Sequence, residues 1–207
     1  MKKQPEMLTE QKKSVLNCVL VIVCALFAAI FLFNLWFRRQ FLVVEVSGGS
    51  METTLQSGDI LYADRYRTPE RGDVVIIDVS DLRMLHGFSG DYIIKRVIGL
   101  EGDTVKCVDG ELYLRRAGSD EFFLLQEDYL ETRFPNEDFD EVTVGRGEIF
   151  FMGDHRDSSK DSRSVGCLEL TRVVGVVPEW VIAHKSLINA WEKFRSGLGG
   201  NTTQTEE

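Results

Sequence analysis

The stretch YIIKRVIGLEGDTVKCVDGELYLR, residues 92–115, decides the fold class. It holds three apolar runs, YIIKRVIGL, TVKCV and ELYLR, rich in the branched and aromatic side chains that suit a pleated strand. Gly102-Asp103 separates the first two, where glycine allows the positive φ of a turn and the carboxylate accepts turn N–H groups. Asp109-Gly110 separates the second from the third and is a two-residue hairpin signal. Working outward, runs of the same kind recur as FLVVEV (41–46), ILYADRY (60–66), VVIIDV (74–79), EIFFM (148–152) and RVVGVV (172–177). Gly58-Asp59, Gly72-Asp73 and Gly147-Glu148 lead into three of them. No helical pattern regularly separates the runs, so a mainly β, antiparallel domain is expected rather than an alternating α/β sheet. No internal repeat of solenoid length is present.

Two other stretches differ from this pattern. Residues 117–140 are acidic and aromatic, with Pro135 the one clear breaker, and are expected to form an insertion or cap rather than core sheet. Residues 180–194 suit a short amphipathic helix, and their Trp and Phe side chains equally suit a membrane interface. Residues 196–207, SGLGGNTTQTEE, are small and polar and read as a disordered tail.

Ahead of the first strand, residues 15–37 carry no charged side chain. At about 1.5 Å per residue a helix of that length can cross a hydrocarbon core of about 30 Å. The run is long for the apolar part of a cleaved signal, and Arg38-Arg39-Gln40-Phe41 follows it rather than a small-x-small site, so an uncleaved transmembrane helix is expected. Lys2, Lys3, Lys12 and Lys13 precede it, and only Arg38 and Arg39 closely follow. That asymmetry places residues 1–14 in the cytoplasm and residues 38–195 outside, as one extracytoplasmic domain of a single-pass cell-membrane protein. The formal charge of −9 over 207 residues opposes a phosphate-tracking surface, so no nucleic-acid partner is expected. Cys18 and Cys24 fall in the apolar span, and Cys107 and Cys167 either form one disulfide or stand as separate buried thiols. No spacing resembles a zinc site and the three histidines lie far apart, so neither metal nor cofactor is expected.

The first run of the domain ends in Ser47-Gly48-Gly49-Ser50-Met51, which sets Ser50 just past a strand in a glycine-permitted turn. Alone this is ordinary turn composition. In YIIKRVIGL, alternation puts Ile93, Lys95 and Val97 on one face and Ile94, Arg96 and Ile98 on the other, so each face carries one cation. A lysine among apolar neighbours gives up its proton more readily and can then accept one, and nearby Arg96 is expected to add to that effect. The plain alternative is a lysine whose head reaches water from a solvated face. The third feature is GDHRDSSKDSR, residues 153–163, dense in hydroxyls and paired charges, which also suits a solvated loop. A calcium loop is opposed by Arg156, Lys160 and Arg163 and by the missing closing glutamate. A Ser-His-Asp triad through His155 is a second arrangement, but Lys95 supplies a base in a more buried setting.

In kind and in order, SGGSMETTL, IIKRVIGLEGD and GDHRDSSKDSR resemble the motifs of the type I signal peptidases, membrane serine proteases that remove signal peptides from exported proteins. GDILYADRY and RGDVVIIDV between them match as well, and with the apolar span the resemblance covers nearly all of residues 15–163. It implies Ser50 as nucleophile and neutral Lys95 as general base, with the Ser50 backbone N–H holding the oxyanion. It implies further that Ser159 hydrogen-bonds the lysine, that Asp161 and Arg163 form a supporting ion pair, and that Asp154 and Arg96 tie the third motif to the lysine strand. The partners implied are exported preproteins and the lipid membrane. Such a substrate would add as a strand beside the one ending at Ser47 and the one at 91–94, near Gly48, Met51, Tyr92 and Ile94. The family prefers small residues at the first and third positions before the cut.

Departures from the family pattern are specific. Thr53 stands where proline is usual, so the turn after Ser50 is expected to lose a fixed φ. Gly48 stands where some members carry an oxyanion-donating serine, His155 replaces an asparagine, and Glu101 replaces a proline. Two other functions fit less well. Arg71-Gly72-Asp73 superficially suggests adhesion, but its place before a strand makes it a turn. A self-cleaving Ser-Lys repressor would carry a DNA-binding domain where this chain has an apolar span.

Overall fold

The computed structural model describes residues 4–88, 90–130 and 136–197, so the tail expected at 196–207 lies, past residue 197, outside the described residues. The chain divides into two units, one ending at Gln40 and one beginning at Phe41. The first is a single helix, α1 (Gln4–Gln40), which extends beyond the apolar run at both ends. Helix growth from an existing nucleus adds one bond per residue, so the polar flanks simply continue it. Its Lys13–Gln40 portion is long and apolar enough to cross a membrane. Arg38 and Arg39 occupy its last turn, where a cation suits the helix dipole.

The second unit begins in strand with no linker. It opens with β1 (Phe41–Glu45), β2 (Ile60–Asp64), β3 (Val74–Asp78), the short α2 (Arg83–His86) and β4 (Tyr92–Leu100). Then come β5 (Thr104–Val108), β6 (Glu111–Arg115), β7 (Phe123–Leu124), β8 (Phe139–Thr143) and β9 (Glu148–Met152). The last described elements are α3 (Ser162–Val165), β10 (Leu168–Glu169), β11 (Val173–Val177), α4 (Glu179–Ala183) and α5 (Lys185–Gly197). Every apolar run named above is a strand, and the strands pair antiparallel in a seven-stranded sheet, β1-β2-β11-β3-β4-β9-β10, and a four-stranded sheet, β7-β6-β5-β8.

Part of 117–140 differs from expectation. Phe123–Leu124 forms one edge of the smaller sheet and Phe139 opens the strand at its other edge. These short pieces are recruited by partners distant in sequence, so no local alternation marks them. The helix expected at 180–194 is present as two, α4 and α5, broken at His184. Cys107 and Cys167 are free thiols packed against one core, and burial pushes each up to about 11.

Two cores share β4 and β9, one on each face. Val97 and Phe151 pack with Val75, Ile77 and Val176, whereas Ile98 and Phe150 pack with Val105, Leu112 and Leu114. Strand alternation therefore gives β4 a buried side in both directions. Lys95 shares the face of Val97 and Arg96 that of Ile98, so both cations are drawn into the interior.

Asp103 fixes the join between the sheets. Its fully buried carboxylate accepts hydrogen bonds from Arg71 Nε and Nη2 at 2.5 and 2.7 Å, from Leu100 N at 2.9 Å and from Ala117 N at 3.0 Å. Burial works to raise its pKa, but these donors outweigh burial and hold it below the ordinary carboxylate value. Asp73 likewise accepts from Arg67 and Glu70 N, so Arg71-Gly72-Asp73 is an internal turn with both charged side chains engaged. Asp103→Ala should lower stability by about 2–3 kcal/mol, because it strands a guanidinium and two N–H groups. Denaturation followed by circular dichroism measures the loss. The wild-type advantage should be present above the ordinary carboxylate pKa and fade as pH falls through the lowered one.

Candidate active site

The turn after β1 starts at Gly48, whose φ of +83° suits glycine. It closes through Glu52 N to Gly49 O at 2.9 Å and Leu55 N to Met51 O at 2.8 Å, with Met51 and Leu55 buried beneath it. Ser50 lies at its head. Lys95 arrives from the middle of β4, only 4% exposed, and its Nζ is 2.5 Å from Ser50 Oγ. Burial pushes Lys95 down to about 8, with Asp161 and Asp154 opposing the fall and Arg163 adding to it. The expectation that Arg96 contributes is corrected. Arg96 projects to the opposite face of β4 and is paired with Asp154 there.

β9 ends with Met152 opposite Arg96, so the residues that follow fall beside β4. Gly153 packs so tightly that a β-carbon on it would lie 2.4 Å from Ser50 O and 2.2 Å from Ser159 Oγ. His155 N donates to Ser50 O at 3.1 Å, which fixes the backbone of the turn. Asp154 accepts Arg96 Nε at 2.9 Å, Arg96 Nη2 at 2.6 Å and Thr54 Oγ1 at 2.5 Å. Asp161 caps α3 and accepts Gly153 N at 3.0 Å, together with Arg163 Nε and Nη2 at 2.9 Å each. Paired bonds of this kind set orientation as well as energy. Ser50, Lys95, Arg96, Asp154, Asp161 and Arg163 are thus brought together.

Ser159 departs from the expected hydrogen bond to the lysine. Its Oγ is buried without a hydrogen-bond partner among the described residues, because Lys95 Nζ reaches Ser50 while Ser159 Oγ lies against Gly153. The imidazole of His155 faces Gly49 O at 3.1 Å and Glu52 at 3.2 Å through Nδ1, and Asp157 at 3.1 Å through Nε2.

Residues from 117–140 add a supporting layer that no sequence motif marks. Arg156, fully buried, pairs with Glu127, donates to Asn136 Oδ1 at 2.6 Å and to Gly153 O at 3.0 Å. The Tyr129 ring lies 3.7 Å from the Arg96 guanidinium carbon, and the Tyr129 carbonyl accepts Thr53 Oγ1 at 2.9 Å. The acidic and aromatic composition of the segment is the only sequence signal, and it names no partner. Thr53 itself takes φ +93°, a value closed to proline and costly for a β-branched residue. The turn is nonetheless held, since the hydroxyls of Thr53 and Thr54 tie it to Tyr129 and Asp154.

A groove of about 340 Å³ runs from β1 to β4 past Ser50 and Lys95. Gly48, Met51, Tyr92 and Ile94 all line it, as expected, together with Val44, Val46 and Phe88. Lys160 Nζ holds one wall by donating to His86 O at 2.7 Å and Gly87 O at 3.1 Å. Among the described residues the outer side of β1 has no strand partner, and Tyr92–Lys95 pair only with β3 because β9 pairs from Arg96 onward.

A model of the family described as signal peptidase, peptidase S26, matches residues 14–181. The chain belongs to this family. Signal peptidase I of Bacillus licheniformis is 34% identical to it over 178 residues, covering 81% of this chain and 88% of that one. Signal peptidase IB of Staphylococcus aureus strain COL is 30% identical over 183 residues, covering 80% and 88%. A crystal structure of a signal peptidase I from Enterococcus faecalis V583 is 28% identical, with a TM-score of 0.43 over 54% of this chain and 98% of that one. The antiparallel β domain preceded by one apolar helix is the arrangement expected of a signal peptidase, and family membership makes the protein a membrane peptidase whose substrates carry signal peptides.

In this signal peptidase the Arg96–Asp154 pair is buried on both sides, and removing one member leaves an uncompensated charge. Asp154→Asn should therefore destabilise the domain by about 3–5 kcal/mol, read as a lowered denaturation midpoint.

Proposed function

We propose that this domain cleaves signal peptides by a Ser-Lys dyad, with Ser50 as nucleophile and Lys95 as general base. The observation that carries this reading is the 2.5 Å approach of Ser50 Oγ to a Lys95 amine that is almost wholly buried. With Lys95 neutral, the Ser50 hydroxyl donates to its lone pair. Ser50 Oγ adds to the scissile carbonyl carbon and its proton passes to Lys95 Nζ. The Ser50 backbone N–H stabilises the oxyanion. Collapse breaks the C–N bond, and the Lys95 ammonium returns the proton to the leaving amine. Water then hydrolyses the acyl-enzyme, with Lys95 again taking the proton.

Arg96, Asp154, Asp161 and Arg163 are positioning residues, since each acts by holding β4 or the 153–163 loop. Ser159, its hydroxyl buried against Gly153, helps seat the 153–163 loop beside the Ser50 turn. An extended preprotein segment pairs with the open sides of β1 and Tyr92–Lys95, and small side chains before the cut enter the groove beside Met51 and Ile94. Residues 1–14 face the cytoplasm and the β domain lies outside.

The pH profile tests this directly. Only the neutral amine accepts a proton, so activity should rise as pH increases through about 8 and be roughly tenfold below its plateau at pH 7. Cleavage of a signal-peptide substrate by Ser50→Ala and by Lys95→Arg should be abolished, because guanidinium stays protonated. His155→Ala should keep the rising limb. Turnover in Lys95→Arg, or a lost rising limb in a folded His155→Ala, refutes the dyad.

A further inference from the structure

Helix α5 is packed with its polar side inward, although a surface helix ordinarily does the reverse. Three side chains carry that packing. Glu192, 3% exposed, accepts from the Tyr62 hydroxyl and from Arg195 Nε at 2.8 Å, and Asn189 Oδ1 accepts Ile60 N at 2.7 Å. Both of these reach β2. Lys185 reaches elsewhere, for its Nζ donates to Thr54 O at 2.8 Å and to Asp59 at 3.1 Å, and Thr54 belongs to the turn that carries Ser50.

The loop between β1 and β2 is closed at its neck, where Val46 N donates to Asp59 O and Gly58 N to Val46 O, each at 2.8 Å. The Asp59 carboxylate accepts Gln56 N at 2.9 Å and Asn189 Nδ2 at 2.7 Å besides Lys185. Burial works to raise its pKa, but Gln56 N, Asn189 and Lys185 outweigh burial and hold it below the ordinary value. Asp59 therefore keeps its charge, and Lys185 spans the loop from this neck to the far end of the nucleophile turn. That end is where the turn is strained. Thr53 takes φ +93°, a conformation that lasts only while its surroundings over-determine it. The Thr53 hydroxyl is held by Tyr129 O and the Thr54 hydroxyl by Asp154. The Thr54 carbonyl is held by the Lys185 ammonium, a charge-assisted bond of the stronger kind. With Thr54 fixed, Leu55 N and Thr54 N close the turn onto Met51 O at 2.8 and 3.1 Å.

We propose that Lys185 is a positioning residue for the peptidase reaction, a brace from α5 that fixes the Thr54 end of the turn and so the place of Ser50 Oγ against Lys95. The inference rests on the reading of Ser50 as nucleophile. It follows from what each inward side chain of α5 meets, since Glu192 and Asn189 secure the helix to β2 and Lys185 alone of the three crosses to the turn. A small displacement of a reacting atom is costly even when its cause lies far from the chemistry. Helix α5 lies beyond the residues 14–181 that match the family, and none of the family motifs contains Lys185.

Cleavage of a signal-peptide substrate by the full-length protein supplies the test. On the plateau of the pH profile, Lys185→Met should lower kcat roughly tenfold and change KM by less than about twofold, since Ser50 is displaced while the groove stays. Lys185→Arg keeps a charged donor and should recover most of the loss. Tyr62→Phe loosens the same helix without touching the turn, and its kcat should stay within about twofold of wild type. Amide exchange at Glu52 and Leu55, the donors that close the turn, should quicken in Lys185→Met and not in Tyr62→Phe. Should Lys185→Met fail to fold, Lys185→Gln carries the same comparison. A wild-type kcat in the Lys185 variant overturns the inference, and so does an equal fall in Tyr62→Phe, which would make α5 a structural support only. Turnover in Ser50→Ala refutes the nucleophile and the brace together. An inactive Ser50→Ala beside an unaffected Lys185→Met overturns the brace alone.

Discussion

An amine buried in the middle of β4 is the constraint to which the rest of the domain is fitted. Desolvation disfavours the ammonium, so the folded pKa of Lys95 lies near 8 while its ordinary value is 10.5. The folded state then binds fewer protons than the unfolded chain. The resulting penalty is full below about pH 8 and disappears as pH rises toward the ordinary value. Two carboxylates, Asp161 and Asp154, lie near enough to relieve it by restoring the charge. Each is instead committed to an arginine through two hydrogen bonds, Asp161 to Arg163 and Asp154 to Arg96. The pairing holds the loop in place, and of the two arginines Arg163 also adds to the fall of Lys95.

Three pieces of chain far apart in sequence meet at this lysine, and backbone contacts do much of the alignment. The turn after β1, the centre of β4 and the loop after β9 are locked where Gly153 touches Ser50 O and His155 N donates to the same carbonyl. Behind them, Tyr129 packs on Arg96, and Glu127 holds Arg156 against the carbonyl of Gly153. The segment around Tyr129 also accepts the hydroxyl of Thr53, which keeps a strained turn in one conformation. A residue in such a φ region persists only where its surroundings over-determine it. Here the over-determination comes from the stretch that lies outside the recognised motifs.

Sequence pattern was most informative where a local rule and the tertiary answer coincide. Alternation in YIIKRVIGL placed Lys95 and Arg96 on opposite faces, and both faces are buried because each belongs to a different core. The strands with strong alternation were legible for the same reason, and the two-residue strands β7 and β10 were not, being defined by their partners alone. The Glu127–Arg156 pair was invisible because nothing in the spacing of two charges 29 residues apart declares a contact. Helix α5 misleads in a different way. Its periodicity gives an amphipathic helix, but the usual rule that apolar means inside assigns the wrong face, since Asn189, Glu192 and Lys185 satisfy buried polar groups of the sheet.

The open sides of β1 and Tyr92–Lys95 carry a hazard as well as a use. Unpaired strand backbone is a template for any extended chain, including another copy of the same domain. The same backbone must stay open if a preprotein segment is to bind there. Shape narrows the choice, because the groove is only about 340 Å³ and is walled by Phe88 and Met51. Lys160 fixes that wall by holding the carbonyls of His86 and Gly87, so the groove keeps its width. Lys95, only 4% exposed, is already desolvated before any strand enters, so the low pKa of the amine belongs to the fold itself.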